Sequence, residues 1–152
     1  MLRLSDSVYG SDSVAAVGVA AHECGHAIQH QRGYVPLRVR GAFVPVANFG
    51  SSIAWPLIII GLMMRGQIII EIGIICFSFA VIFQLITLPV EFNASGRAMR
   101  ILRETGILNS QELPMTGRVL RAAAMTYVAS AASAVLQLLR LIILYGGRRR
   151  NE

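Results

Sequence analysis

GAFVPVANFGSSIAWPLIIIGLMM, residues 41–64, and IIIEIGIICFSFAVIFQLITLPV, residues 68–90, are the stretches whose reading decides the fold. The first holds no charge between Arg40 and Arg65, and the second holds one, Glu71. As a helix, 24 residues reach about 36 Å at 1.5 Å per residue, enough to cross about 30 Å of hydrocarbon. Pro45 and Pro56 interrupt the first run, which a membrane helix tolerates. The link Arg65-Gly66-Gln67 is short enough to force an antiparallel return. These runs predict a transmembrane hairpin over 43–64 and 68–90. A third apolar run covers 119–145, with an Ala/Ser-rich half suited to close helix packing.

Composition points the same way. Of 152 residues, 55% are apolar and 14% charged, against about 25% charged in a typical soluble domain. The net charge is +6, and every basic residue is Arg. These arginines flank apolar runs instead of forming a basic stripe with interleaved aromatics, so nucleic acid is not an expected partner; the lipid bilayer is. The two cysteines, Cys24 and Cys76, sit in different apolar contexts and read as buried free thiols, with no disulfide framework. Residues 1–13 are polar and lack the pattern of a secretory signal.

Upstream of the hairpin, the pattern from Val14 is helical. Ser13 is a suitable N-cap, several alanines favour helix, and Gly33 is a natural stop after Arg32. A helix over 14–31 follows. Downstream, residues 91–118 read as an amphipathic segment with Glu91 opening a helix, Gly106 closing it and a loop over 109–117 containing Pro114 and Gly117.

The first helix carries His22-Glu23-Cys24-Gly25-His26, an H-E-x-x-H pattern. Residues four apart on a helix lie about 40° apart and one turn up, so His22 and His26 can direct ring nitrogens at one Zn²⁺. Glu23 stays at the rim, where it can serve as general base towards a metal-activated water and then as acid to the leaving amine. His30 is too far along the helix to join both, and reads as an exposed or supporting histidine.

The third ligand must come from another element, and a carboxylate is the common solution. Glu71 lies at the far end of the hairpin, while Glu104, Glu112 and Glu152 read as solvated charges. Glu91 follows nineteen uncharged residues and Pro89, and emerges where the hairpin returns. A carboxylate there is costly unless paired or metal-bound; the plainer reading is a helix-opening Glu favoured by the dipole. Asp6 and Asp12 are the next candidates. Tyr9, Tyr34, Asn93 and His30 are candidates for stabilising an oxyanion.

Taken together, the segment from Ser13 through His22-Glu23-Cys24-Gly25-His26 to His30 and the segment Leu88-Pro89-Val90-Glu91-Phe92-Asn93-Ala94-Ser95-Gly96-Arg97 resemble the membrane-bound neutral zinc metallopeptidases, the YugP-like family, over nearly the whole chain. That family is similar to the HtpX-type gluzincins. The resemblance implies zinc held by His22, His26 and Glu91, with Glu23 catalytic. HtpX-type enzymes carry E-x-x-x-D at the third-ligand helix; here the last position is Ser95, so Asn93 or Ser95 is expected to substitute. Family members usually begin with a further transmembrane helix and segment, so the resemblance implies an N-terminally truncated form.

The expectation is therefore an all-α integral membrane protein, one domain over 1–152, with a zincin-like helix and two to three transmembrane helices. Its expected function is hydrolysis of membrane-proximal peptide or membrane-protein segments; the alternative is a non-catalytic membrane zinc-binding protein. Arg3, Arg32, Arg38, Arg40, Arg97, Arg100, Arg103, Arg118 and Arg121 gather on one side of the hairpin. Arg65 falls on the other, joined by Arg148, Arg149 and Arg150 if the third run spans. The bias makes the first side cytoplasmic and predicts a multi-pass plasma-membrane protein with its zinc site on that face.

Overall fold

Ser13 begins the helix that matters most. Its hydroxyl accepts the N–H of Ala16 at 3.2 Å and caps α2, Val14–Gln31, which stops before Gly33 in the left-handed region at φ +60°. In this computed structural model, which describes residues 3–146, the chain is helical, with no strand among the described residues. A short α1, Asp6–Tyr9, precedes α2; α3 is Val35–Met63, α4 Gln67–Thr105 and α5 Glu112–Tyr145. Arg148, Arg149, Arg150 and Glu152, weighed above, lie outside the described residues.

Three boundaries differ from the sequence reading. Helix α3 begins at Val35, so Arg38 and Arg40 belong to it; Pro36 falls in the first turn, where its missing N–H costs nothing. Helix α4 does not stop near residue 90. It runs through Pro89 to Thr105, so Glu91 sits inside a helix and not at its start. Packing explains the continuity: Thr87, Val90, Glu91, Ala94, Ala98 and Leu102 are all buried, a stripe at helical spacing that carries across the proline. Helix α5 begins at Glu112, where a loop to 117 was expected. Asn109 Oδ1 accepts the N–H groups of Gln111 and Glu112, while Glu112 Oε2 accepts that of Asn109 at 3.0 Å. This reciprocal cap starts the helix early and leaves Pro114 harmlessly in its first turn.

Helices α3, α4 and α5 are each long and apolar enough to cross a membrane. At 39 residues α4 measures about 58 Å, well beyond the hydrocarbon thickness, and its Arg97, Arg100, Arg103 and Glu104 all lie at the polar C-terminal end.

The chain forms two compact units. The first comprises the residues up to Arg38 together with Thr87–Val128. Its apolar core is Ala21, Ala98, Leu102 and Leu120, with Val17 and Met99 packed against them. Gly18 lets α2 approach the side chains of Thr116 and Leu120 on α5, and Gly25 lets it approach the backbone of Ala94 on α4, so closely that a Cβ would strike the Ala94 carbonyl. Positions 18, 21, 25 and 29 of α2 form one buried stripe.

The second unit comprises Val39–Ile86 and the chain from Ala129. Here α3 and α4 run antiparallel on either side of Arg65, which takes φ 54° in the turn. Gly50 meets the Cys76 carbonyl, and Gly61 meets Ile70. Ile58, Ile70, Ile74 and Leu141 make the core, and Gln67 Nε2 bridges Glu71 Oε1 and the Tyr145 carbonyl. Its outer surface is apolar: Ile59, Ile60, Ile68, Ile75 and Ile143 are all exposed, as suits a lipid-facing belt.

Candidate metal centre

The close approach at Gly25 sets α2 against the polar half of α4. His22 and His26, one turn apart on α2, stand with rings perpendicular and centroids 4.6 Å apart. Both face Glu91, whose Oε2 lies 3.1 Å from His22 Nε2 and 3.5 Å from His26 Nε2. The carboxylate is only 3% exposed. The three potential ligand atoms lie within 4.8 Å of one another. Ligands about 2.0–2.1 Å from a tetrahedral zinc stand about 3.3 Å apart, so these separations fit the metal with little movement.

The hydrogen bonds behind the rings show what the centre demands. Gln29 is fully buried. Its Nε2 donates to the Val90 carbonyl at 2.8 Å and to Asn93 Oδ1 at 3.0 Å, so its Oε1 must face His26 and accept from Nδ1–H at 3.0 Å. The neutral His26 tautomer then presents the lone pair of Nε2 to Glu91. His22 lies with its Nδ1 3.1 Å from Ser95 Oγ, a hydroxyl that can donate or accept, and its Nε2 3.1 Å from Glu91 Oε2. Two imidazole nitrogens and a carboxylate therefore converge on one point, an arrangement that needs a proton or a metal cation between them. A proton meets the need in part: the His26 imidazole titrates above its ordinary 6.5, chiefly through its hydrogen bond to Glu91. Burial opposes the shift, while Gln29 and the charges of Glu91 and Glu23 add to it. A divalent metal meets the need fully.

A family model described as "Putative neutral zinc metallopeptidase" matches residues 1–146. A curated relative, "Putative membrane protease YugP" of Bacillus subtilis (strain 168), is 48% identical over 153 residues, covering 99% of this chain and 68% of that protein. The chain belongs to this zinc metallopeptidase family. No solved structure matches it.

For a member of the zinc metallopeptidase family, the donor set is chemically apt: two imidazoles and one carboxylate suit zinc and leave a position open. Glu23, beside His22 on α2, is half-buried, and its charge bears on His26. Ser95, one turn beyond Glu91 on α4, contacts His22. Among the described residues Asn93 makes no hydrogen bond to a histidine; its Oδ1 accepts from Gln29 and, at 2.8 Å, from Arg97 Nε. Arg97 in turn stacks over the Tyr34 ring, 5.9 Å from its centroid. His30 is exposed and outside the cluster, and Tyr9 is 83% exposed. Cys24 and Cys76 are free thiols, but partly exposed where burial was expected.

Two features escaped the sequence reading. Gln29 is not among the candidates drawn from the sequence, although its place on the stripe of Gly18, Ala21 and Gly25 marks it for burial. A cavity of about 120 Å³ beside His22, Glu91 and Ser95, walled by α5, had no sequence signal at all.

Proposed function

We propose that this chain is a zinc-dependent membrane endopeptidase, with the metal held by His22, His26 and Glu91 and with Glu23 as the proton carrier. The observation that carries the reading is the convergence of two imidazole Nε2 atoms on one buried carboxylate, with the Nδ1 atoms behind them hydrogen-bonded to Ser95 and to Gln29. Zinc, when bound, supplies Lewis-acid polarisation of a carbonyl and lowers the pKa of water. The chain's own groups do the rest. Glu23 takes the proton of the attacking water on a carboxylate oxygen and delivers it to the departing amine nitrogen. Ser95 and Gln29 hold the two rings so that each offers Nε2. Glu91 adds one negative charge, which offsets part of the cation's charge and leaves the centre electrophilic.

The substrates are peptide or membrane-protein segments close to the bilayer. The bias of arginines towards the segments on either side of the hairpin, with Arg65 at its turn, orients the chain as a multi-pass plasma-membrane protein with the centre on the cytoplasmic face. A reporter fused after Arg103 is then cytoplasmic and one inserted at Gly66 external.

The decisive experiment compares the zinc-loaded chain in detergent with Glu23→Gln, measuring peptide hydrolysis and zinc content together. The variant keeps its zinc and loses hydrolysis by about 10²- to 10⁴-fold. A variant that cleaves at the wild-type rate rules the mechanism out, and zinc binding without hydrolysis by the wild type favours a non-catalytic zinc protein.

A further inference from the structure

The cavity beside the metal centre has two unlike sides. One is polar and shared with the centre: His22, Glu91 and Ser95. The other is built from Val19 of α2 and from Leu120, Ala123, Ala124 and Tyr127 of α5, and the only polar atom its side chains offer is the tyrosine hydroxyl. All of these residues belong to the first unit. Leu120 and Ala124 are each 4% exposed and part of the packed interior, so this wall is fixed. Ala123 and Val19 are exposed, so the cavity opens outward past them. Its existence depends on small side chains, because a larger residue than alanine at 123 would fill it.

We infer that this cavity is a specificity pocket that receives an apolar side chain from a residue flanking the scissile bond. The inference rests on the peptidase reading above and names the substrate class of that site. A carbonyl drawn to the centre formed by His22, His26 and Glu91 places the neighbouring side chain within reach of a cavity that shares two of those residues. Apolar walls reject a charged group, which would lose its hydration without gaining a partner. An aliphatic group entering it is buried against the apolar wall and brings no polar atom of its own to leave unpaired. Size sets the upper limit. A cavity of about 150 Å³ takes one benzene; this one, at about 120 Å³ and open past Val19 and Ala123, accommodates a branched aliphatic group, or a single ring that projects into the opening, and not a lipid tail.

The test uses the full chain, zinc-loaded in detergent, with two readouts. The first is hydrolysis of a peptide series identical except for Gly, Ala, Leu, Phe or Lys at each residue flanking the cleaved bond. The second is the affinity of three hydroxamates bearing methyl, isobutyl or n-heptyl groups, which requires no hydrolysis. One methylene in an apolar pocket is worth about 10-fold or more. Leu or Phe is therefore preferred over Gly and Lys by at least about 10-fold at one flanking position, and isobutyl binds at least about 10-fold more tightly than methyl. The n-heptyl compound binds no better than isobutyl. Ala123→Leu collapses the isobutyl-to-methyl ratio while zinc content holds, and Val19→Ala, which widens the mouth, shifts preference towards Phe. Equal affinities for methyl and isobutyl, or a ratio that Ala123→Leu leaves unchanged, overturn the pocket. An n-heptyl compound that far outbinds isobutyl overturns it in favour of an acyl-chain site. Hydrolysis with a flat preference removes the pocket and leaves the peptidase; discriminating hydroxamates without hydrolysis remove the peptidase and leave the pocket.

Discussion

At Gly25 on α2 and at Gly73 on α4, an added Cβ would press on a backbone carbonyl of the neighbouring helix: Ala94 in the first unit, Ala54 in the second. What surrounds the two contacts is different. Around Gly73 the space is taken by Ile58, Ile70 and Ile74. The helices that meet at Gly25 carry two imidazoles, a carboxylate and an amide that contact one another. The buried polar residues of the described chain, Gln29, Thr87, Glu91 and Thr116, all fall in the first unit. Close helix approach is thus a general device of this protein. In the second unit it buries aliphatic surface, and each contact has others of its kind beside it. In the first it brings polar groups within reach of one another that would be too costly to bury alone, and no second such cluster stands among the described residues.

The sharpest way to break this contrast is Glu91→Ala. Removing the carboxylate leaves two imidazoles on one helix, and zinc affinity, measured by competition with a chelator, falls by more than about 100-fold, beyond the loss expected for an outer hydrogen-bond partner. A variant that keeps wild-type affinity would take Glu91 out of the ligand set and bring Asp6 or Asp12 forward.

Paired glycine variants test the contrast directly. Gly25→Ala and Gly73→Ala each force a helix to yield and lower stability by about 1–3 kcal/mol, read as a fall in Tm in detergent. Only Gly25→Ala also costs zinc affinity, because metal–ligand distances tolerate shifts of only about 0.2 Å. Equal zinc binding by the two variants would show that the centre does not depend on the α2–α4 approach.

A smaller effect is expected at Gln29→Leu. The ring of His26 loses the acceptor that fixes its tautomer, and zinc affinity drops by about 10- to 100-fold. The absorption spectrum of the cobalt-substituted protein changes with it, a response that loss of stability alone does not produce.

The smallest effect is in pH. Because His26 in the metal-free chain titrates above 6.5, the stability it contributes is fully present below 6.5 and is lost as the pH rises through the raised value. The Tm of zinc-free protein therefore falls by a few degrees across that window, and Glu91→Ala flattens the curve by removing the main cause. Zinc affinity moves the opposite way, rising with pH as the competing proton leaves.

Much of the first unit could be read directly from residue types, because its signals are local. Ser13 and Gly33 bound α2 by backbone chemistry that needs no partner, and the spacing of His22 and His26 places two potential ligands on one helix face. Glu91 stood out by charge against a long apolar background. The rest depends on contacts. Whether α4 stops at Pro89 is decided by the buried stripe that continues to Leu102, and proline alone argues the other way. The start of α5 turns on Asn109 and Glu112 capping each other, a pattern hidden by the nearby Pro114. The cavity walled by Ala123 and Tyr127 exists only once α5 lies beside α2, and nothing in an Ala-rich run announces it.

Gln29 carries one last consequence. One of its two donated hydrogen bonds ends on the main-chain carbonyl of Val90 and not on a side chain. A main-chain oxygen cannot be removed by a missense change, so that end of the link is immune to sequence drift, and position 90 answers only for the shape it fills. All of the genetic fragility gathers at the other end. In a saturation library scored for zinc retention, position 90 would accept apolar residues near the size of valine, whereas position 29 would accept glutamine and almost nothing else.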